Sequence, residues 1–113
     1  MARHTKYMQE MLDLFHNCGY NEVKSPDNLV KITRHIEEIC GRFVQVVKVF
    51  HYDTLILIMY KCDCAKHVSK SGWSFNIGEY AYSPTDARII NQILERYTPE
   101  YTAHSRKGEV IVD

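Results

Sequence analysis

The 113-residue chain has no surplus of charge: 14 lysines and arginines stand against 14 aspartates and glutamates. A protein held to nucleic acid mainly by electrostatics needs a basic excess to neutralise phosphates, and an acidic mimic of DNA needs the reverse. Neither fits. Long apolar runs are absent too, since nothing approaches the roughly 18 residues that cross a bilayer. The opening Met-Ala-Arg-His-Thr-Lys runs into an amphipathic pattern rather than a signal-peptide stretch, so the expectation is a cytoplasmic protein with no membrane contact. Catalytic frames are missing: no G-x-S-x-G, no phosphate-binding glycine loop, no H-E-x-x-H, no H-x-E with P-C-x-x-C. The five glycines read as turns and element ends, and the expectation is a non-enzyme without a cofactor. Disulfides are not implied, because a chain of this size forms one core and buries about two-thirds of its unfolded surface without staples.

What is present is a clear alternation of periods. Residues 5–18 carry Met8, Met11, Leu12 and Phe15 at helical spacing, widened by Tyr7, Leu14 and Cys18, and Gly19 is a natural stop. Ser25-Pro26-Asp27 resembles a helix start, which predicts a second helix with a stripe of Leu29, Ile32, Ile36, Ile39 and Cys40, closed by Gly41. The blocks 43–50 and 55–60 are β-branched and aromatic, and predict a hairpin about a turn at His51-Tyr52-Asp53. Apart from Gln45 and Lys48 both of its faces are apolar, so something must cover each. A polar loop follows at 61–72, then a half-buried strand with Trp73, Phe75 and Ile77. Gly78 ends it. Ser83-Pro84-Thr85-Asp86 forms a capping-box start for a helix whose core face is Ile89, Ile90, Ile93, Leu94 and Tyr97, with Arg88, Asn91, Gln92, Glu95 and Arg96 facing water. A polar loop at 98–108 leads to a terminal strand at 109–113. The expected fold is a single α+β domain, order ααβββαβ, with an antiparallel sheet of three to four strands packed with three helices.

Three groups of side chains could carry chemistry. Cys62, Cys64 and His67 are soft ligands close in sequence, and Cys40 or His51 would have to complete a zinc tetrahedron. The preferred reading is an ordinary loop with reduced thiols, in which Lys61, Lys66 and Lys70 lower the thiol pKa values. Cys18 and Cys40 are read as small buried hydrophobes. Cys64 with His67, and His51 with Asp53, can be written as nucleophile or base pairs, although six histidines make such pairs easy to find. A nucleic-acid surface would use Lys61, Lys66, Lys70, Arg106 and Lys107, with Arg42 and Lys48, and stack bases on Tyr80, Tyr82 and Tyr101. These cations lie in separate segments and no helix carries a basic stripe. The aromatic content favours a protein partner instead. Eight tyrosines and one tryptophan exceed the needs of one small core, and Tyr80, Tyr82, Tyr97 and Tyr101 cluster about the ends of the last helix.

Two pieces, the hairpin His51-Tyr52-Asp53-Thr54-Leu55-Ile56 and the run from Gly72-Trp73-Ser74 to Ile90-Asn91, resemble small uncharacterised proteins of bacteriophages and mobile elements. Together they span about the second half of the chain. The resemblance implies a small protein that binds and inhibits, or redirects, a host protein, anti-CRISPR and other anti-defence inhibitors included. It carries no functional residue over. The specific expectation is a protein-binding module whose tyrosine-rich rim or exposed sheet edge docks on a protein or on its own copy, a dimer through an apolar sheet face being one version.

Overall fold

In the computed structural model, which describes residues 2–113 and side chains from residue 8 onward, three pairs of consecutive residues have positive φ. They are Cys40-Gly41 (50° and 80°), Tyr52-Asp53 (53° and 63°) and Lys107-Gly108 (51° and 79°). Two left-handed residues in a row make a type I′ turn, whose twist matches that of paired strands. Each pair therefore folds a hairpin.

The elements in order are α1 (Ala2–Cys18), β1 (Glu22–Lys24), β2 (Val30–Ile39), β3 (Arg42–His51), β4 (Thr54–Tyr60), β5 (His67–Val68), β6 (Ser74–Ile77), α2 (Pro84–Tyr97), β7 (Ala103–Arg106) and β8 (Glu109–Val112). Six strands form one antiparallel sheet, β1-β2-β3-β4-β6-β5, and β7-β8 stand apart as a hairpin. The fold is α+β, as expected, but with two helices rather than three and a larger sheet. No helix among the described residues is long and apolar enough to cross a membrane.

The second helix expected over 25–41 is replaced by a turn and a ten-residue strand, β2. Leu29, Ile32, Ile36 and Ile39 do satisfy a helical period, but Val30, Ile32, Thr33, Ile36 and Ile39 are β-branched and suit a pleated surface better. Asn28 takes φ 60°, which a continuing helix excludes. The Ser25 hydroxyl does accept a backbone N–H, but that of Val30 at 3.1 Å, while the Ser25 N–H donates to the Val30 carbonyl at 2.9 Å. The chemistry is that of a helix cap, used instead to close the β1-β2 connection. Gly41 is a hairpin turn residue, not a helix stop, and Cys40 beside it is exposed, as is Cys18. Neither thiol is the buried hydrophobe expected. Leu14 is exposed as well, and the side chain of Tyr7 lies outside the described residues.

Met8, Met11, Leu12 and Phe15 of α1 share one core with Ile89, Ile90, Ile93 and Leu94 of α2 and with Ile32, Val47, Val49, Leu57, Met59 and Phe75 of the sheet. Both helices thus lie on the same sheet face. The other face carries Val44, Val46, Lys48, Phe50, Ile58 and Tyr60, which alternate with the core residues along β3 and β4. Segment 61–66 is tied to that face: the Ala65 N–H donates to Ser74 Oγ at 3.1 Å and the Lys66 N–H to Asn76 Oδ1 at 2.9 Å. The expected loop thus covers part of the hairpin's second apolar side, and Val44 and Val46 are buried there.

The polar loop expected at 98–108 holds β7, which the Lys107-Gly108 turn pairs with β8. Asn91, expected to face water, fixes this hairpin to α2. Its amide donates to the Ala103 carbonyl at 2.9 Å and its Oδ1 accepts the Ala103 N–H at 2.7 Å, taking the place of a neighbouring strand.

Candidate functional site

At the N-terminus of α2, Ser83 is the N-cap and accepts the Asp86 N–H at 3.0 Å. The Asp86 carboxylate folds back and accepts the backbone N–H groups of Ser83 at 3.2 Å and Tyr82 at 3.1 Å through Oδ2. Its other oxygen, Oδ1, accepts from His51 Nδ1 at 2.7 Å, and both residues are buried. One acid therefore closes the capping box and ties the last residue of β3 to the start of α2. Burial pushes the Asp86 carboxyl up, but the hydrogen bonds from the Tyr82 N–H, from His51 and from the Ser83 N–H outweigh it and hold the acid below its ordinary value.

Around this pair opens a cleft of about 240 Å³ lined by His51, Tyr52, Thr54, Tyr80, Tyr82 and Thr85 among others. Tyr52, Tyr80 and Tyr82 are 65%, 70% and 61% exposed. The Tyr52 ring sits 4.5 Å from the imidazole of His51, centroid to centroid. Tyr52 occupies a type I′ turn, and Tyr80 and Tyr82 flank buried Ala81 on the way into α2, so short, ordered backbone presents all three rings. Because aromatic side chains bring large contact area with few rotatable bonds, such a rim contributes binding surface at low entropic cost.

Comparison with family models, curated proteins and solved structures finds no match. The site must be judged on its own geometry.

Of the four tyrosines expected to form one interaction surface, Tyr80 and Tyr82 are exposed together, and the other two are part of the framework. Tyr97 is 8% exposed, its ring 4.9 Å from Trp73, and burial raises its hydroxyl pKa against the opposing pull of Arg34 and Arg96. Tyr101 donates its hydroxyl to the Val68 carbonyl at 2.8 Å and packs edge-on against Phe75. Tyr52 joins the exposed pair. The signal for it was available in the turn at 52–53, where a ring at a turn residue has no core to enter.

The other sequence candidates separate in space. Cys62 and Cys64 are bonded to each other through their sulfurs, contrary to the expectation of reduced thiols, and their Cα atoms are 5.6 Å apart. His67 stacks on Phe75 with ring centroids 5.0 Å apart, and burial followed by the Lys66 charge depresses its pKa. Among the described residues no three His, Cys, Asp or Glu side chains are grouped to hold a metal ion. His51 meets Asp86 rather than Asp53, and no cysteine lines its cleft. Lys61 and Lys66 line two different clefts, the Lys70 N–H donates to Glu100, and Arg106 and Lys107 lie at the β7-β8 turn. The five cations are distributed over the molecule.

Proposed function

We propose that this chain is a small protein-binding module without catalytic activity, which docks through the tyrosine rim of Tyr52, Tyr80 and Tyr82. In keeping with the mobile-element resemblance, its role is to inhibit or redirect a host protein. The observation that carries the reading is the exposure of three aromatic rings about one cleft, on backbone fixed by the His51-Asp86 pair and a capping box. Exposed rings of this kind gain when a partner removes them from water, and tyrosine is enriched among residues that dominate binding energies. The zero net charge supports a partner held by shape and aromatic burial rather than by phosphate neutralisation.

The test is a double variant, Tyr80→Ser with Tyr82→Ser. Both positions are exposed, so thermal unfolding should stay within about 0.5 kcal/mol of the parent. Association with the bound protein, or with a second copy, should fall at least about tenfold, as loss of about 1.4 kcal/mol requires. Unchanged association would refute the rim as the docking surface.

A further inference from the structure

At the opposite end of α2, about 20 Å along its axis from the tyrosine rim, a second cleft of about 340 Å³ opens where α1, α2, β2 and the end of β4 meet. Its walls include Arg34, Lys61, Arg96 and His16, with the rings of Trp73 and Tyr97. No carboxylate is among the residues that line it. In a chain whose charges sum to zero, three permanent cations around one cavity are a local excess.

Two of the four basic groups have an ordinary explanation. His16 and Arg96 lie in the last turns of α1 and α2, where the helix dipole favours a cation, and Arg96 is paired with Asp13 at the rim and donates to Gln9. Arg34 and Lys61 have no such balance, since neither is ion-paired among the described residues. The Arg34 guanidinium lies 4.1 Å over the Phe15 ring and donates through Nη2 to the Phe15 carbonyl at 2.7 Å, while its buried Nε has no hydrogen-bond partner. The group is held in place by stacking and one carbonyl, with its charge uncompensated. Arg34 and Arg96 line the cleft together with Tyr97, and both oppose the burial that raises its hydroxyl pKa.

We propose that this cleft binds a phosphate-bearing small molecule of the nucleotide class, with the phosphate among Arg34, Lys61 and Arg96 and the base against the half-buried ring of Trp73. A guanidinium charge held in place suits a phosphate, and an indole face offers a stacking partner to any base. The cavity lies within the size range of small-ligand sites. This site is separate from the tyrosine rim, and its failure would leave the docking proposal intact.

Trp73 is the single tryptophan, so its indole N–H gives one nuclear magnetic resonance signal that reports on the cleft. Adenosine monophosphate, inorganic phosphate and adenosine are titrated separately at low salt. The nucleotide should shift the Trp73 signal saturably and bind at least about fivefold more tightly than phosphate. Phosphate should compete for the same site, adenosine alone should bind at least about tenfold more weakly than the nucleotide, and added salt should weaken nucleotide binding. Two exposed variants separate this from a structural role for the cations. Lys61→Gln should weaken the nucleotide at least about threefold, and Asp13→Asn, which releases Arg96, should tighten it, both with unchanged circular dichroism. Absence of saturation by nucleotide and phosphate up to about 10 mM would overturn the site, as would variants that bind like the parent. Nucleotide binding no tighter than phosphate would overturn the nucleotide assignment.

Discussion

Replacing Asp86 with alanine removes one side chain that serves three groups. It takes an acceptor from the Tyr82 and Ser83 N–H groups and the carboxylate from His51. A hydrogen bond to a charged group contributes about 1.5–3 kcal/mol net, and a buried donor left without its acceptor costs about 1–3 kcal/mol. The three contacts share one carboxylate and are not additive, so the expected loss at neutral pH is about 3–4 kcal/mol. Against a total stability of about 5–15 kcal/mol, this lowers the midpoint of thermal unfolding by about 12–16 °C. The assay is urea unfolding followed by circular dichroism at several pH values. The folded-state pKa of Asp86 lies below its unfolded value. The part of its contribution that depends on ionisation is therefore present above the unfolded value of about 4 and is lost as the pH falls through the folded pKa. The gap between parent and variant should narrow in acid, because the parent loses there the part of the stabilisation that depends on an ionised Asp86. A cost below about 1 kcal/mol at neutral pH, or a gap that does not narrow in acid, would refute the assigned role.

Three further perturbations test the framework. A Cβ at Gly78 would stand 2.0 Å from the Leu55 carbonyl oxygen and 2.8 Å from Ile56 Cα, so Gly78→Ala must displace β4 from β6 and should cost more than about 3 kcal/mol or leave the protein insoluble; a stable, soluble variant would contradict the close approach. Asn91→Ala removes both bonds to Ala103 and should cost about 1–2 kcal/mol, with faster amide exchange in the β7-β8 hairpin; unchanged exchange there would contradict the anchoring role. Alkylation of the unfolded, unreduced protein should modify two of the four cysteines, Cys18 and Cys40, and all four after reduction; four modified before reduction would exclude the bond between Cys62 and Cys64.

The elements legible in the sequence are those with one dominant signal. The last helix announced itself by Ser83-Pro84 and Asp86 before a strong apolar stripe, and α2 follows that pattern with its full capping box. The hairpin of β3 and β4 was marked by runs of β-branched residues either side of Tyr52-Asp53, and its turn lies there. Where two periods coexist, local pattern does not decide the element. Residues 29–40 satisfy the helical repeat and the alternating one, and what decides between them is pairing with β3 along its whole length, a long-range interaction that no local pattern records. Strands β1, β5 and β7 are two to four residues long, too short to show any period. The site was half legible. Tyr80 and Tyr82 were visible as surplus aromatics, whereas the contact of His51 with Asp86 joins residues 35 apart and depends on the fold being complete. The same is true of Arg34, which in sequence is one polar residue in a mixed segment and in space is an uncompensated charge between two helices and the sheet.

The tyrosine rim is the proposed docking surface for a protein. A photo-crosslinking phenylalanine analogue at position 82, compared with the same analogue at exposed position 107 on the β7-β8 turn, tests it in the cells where the chain acts. The expected result is a covalent adduct of one defined larger mass from position 82, absent from position 107, its mass reporting whether the partner is another protein or a second copy. No adduct from position 82, or the same adducts from both positions, would contradict the claim.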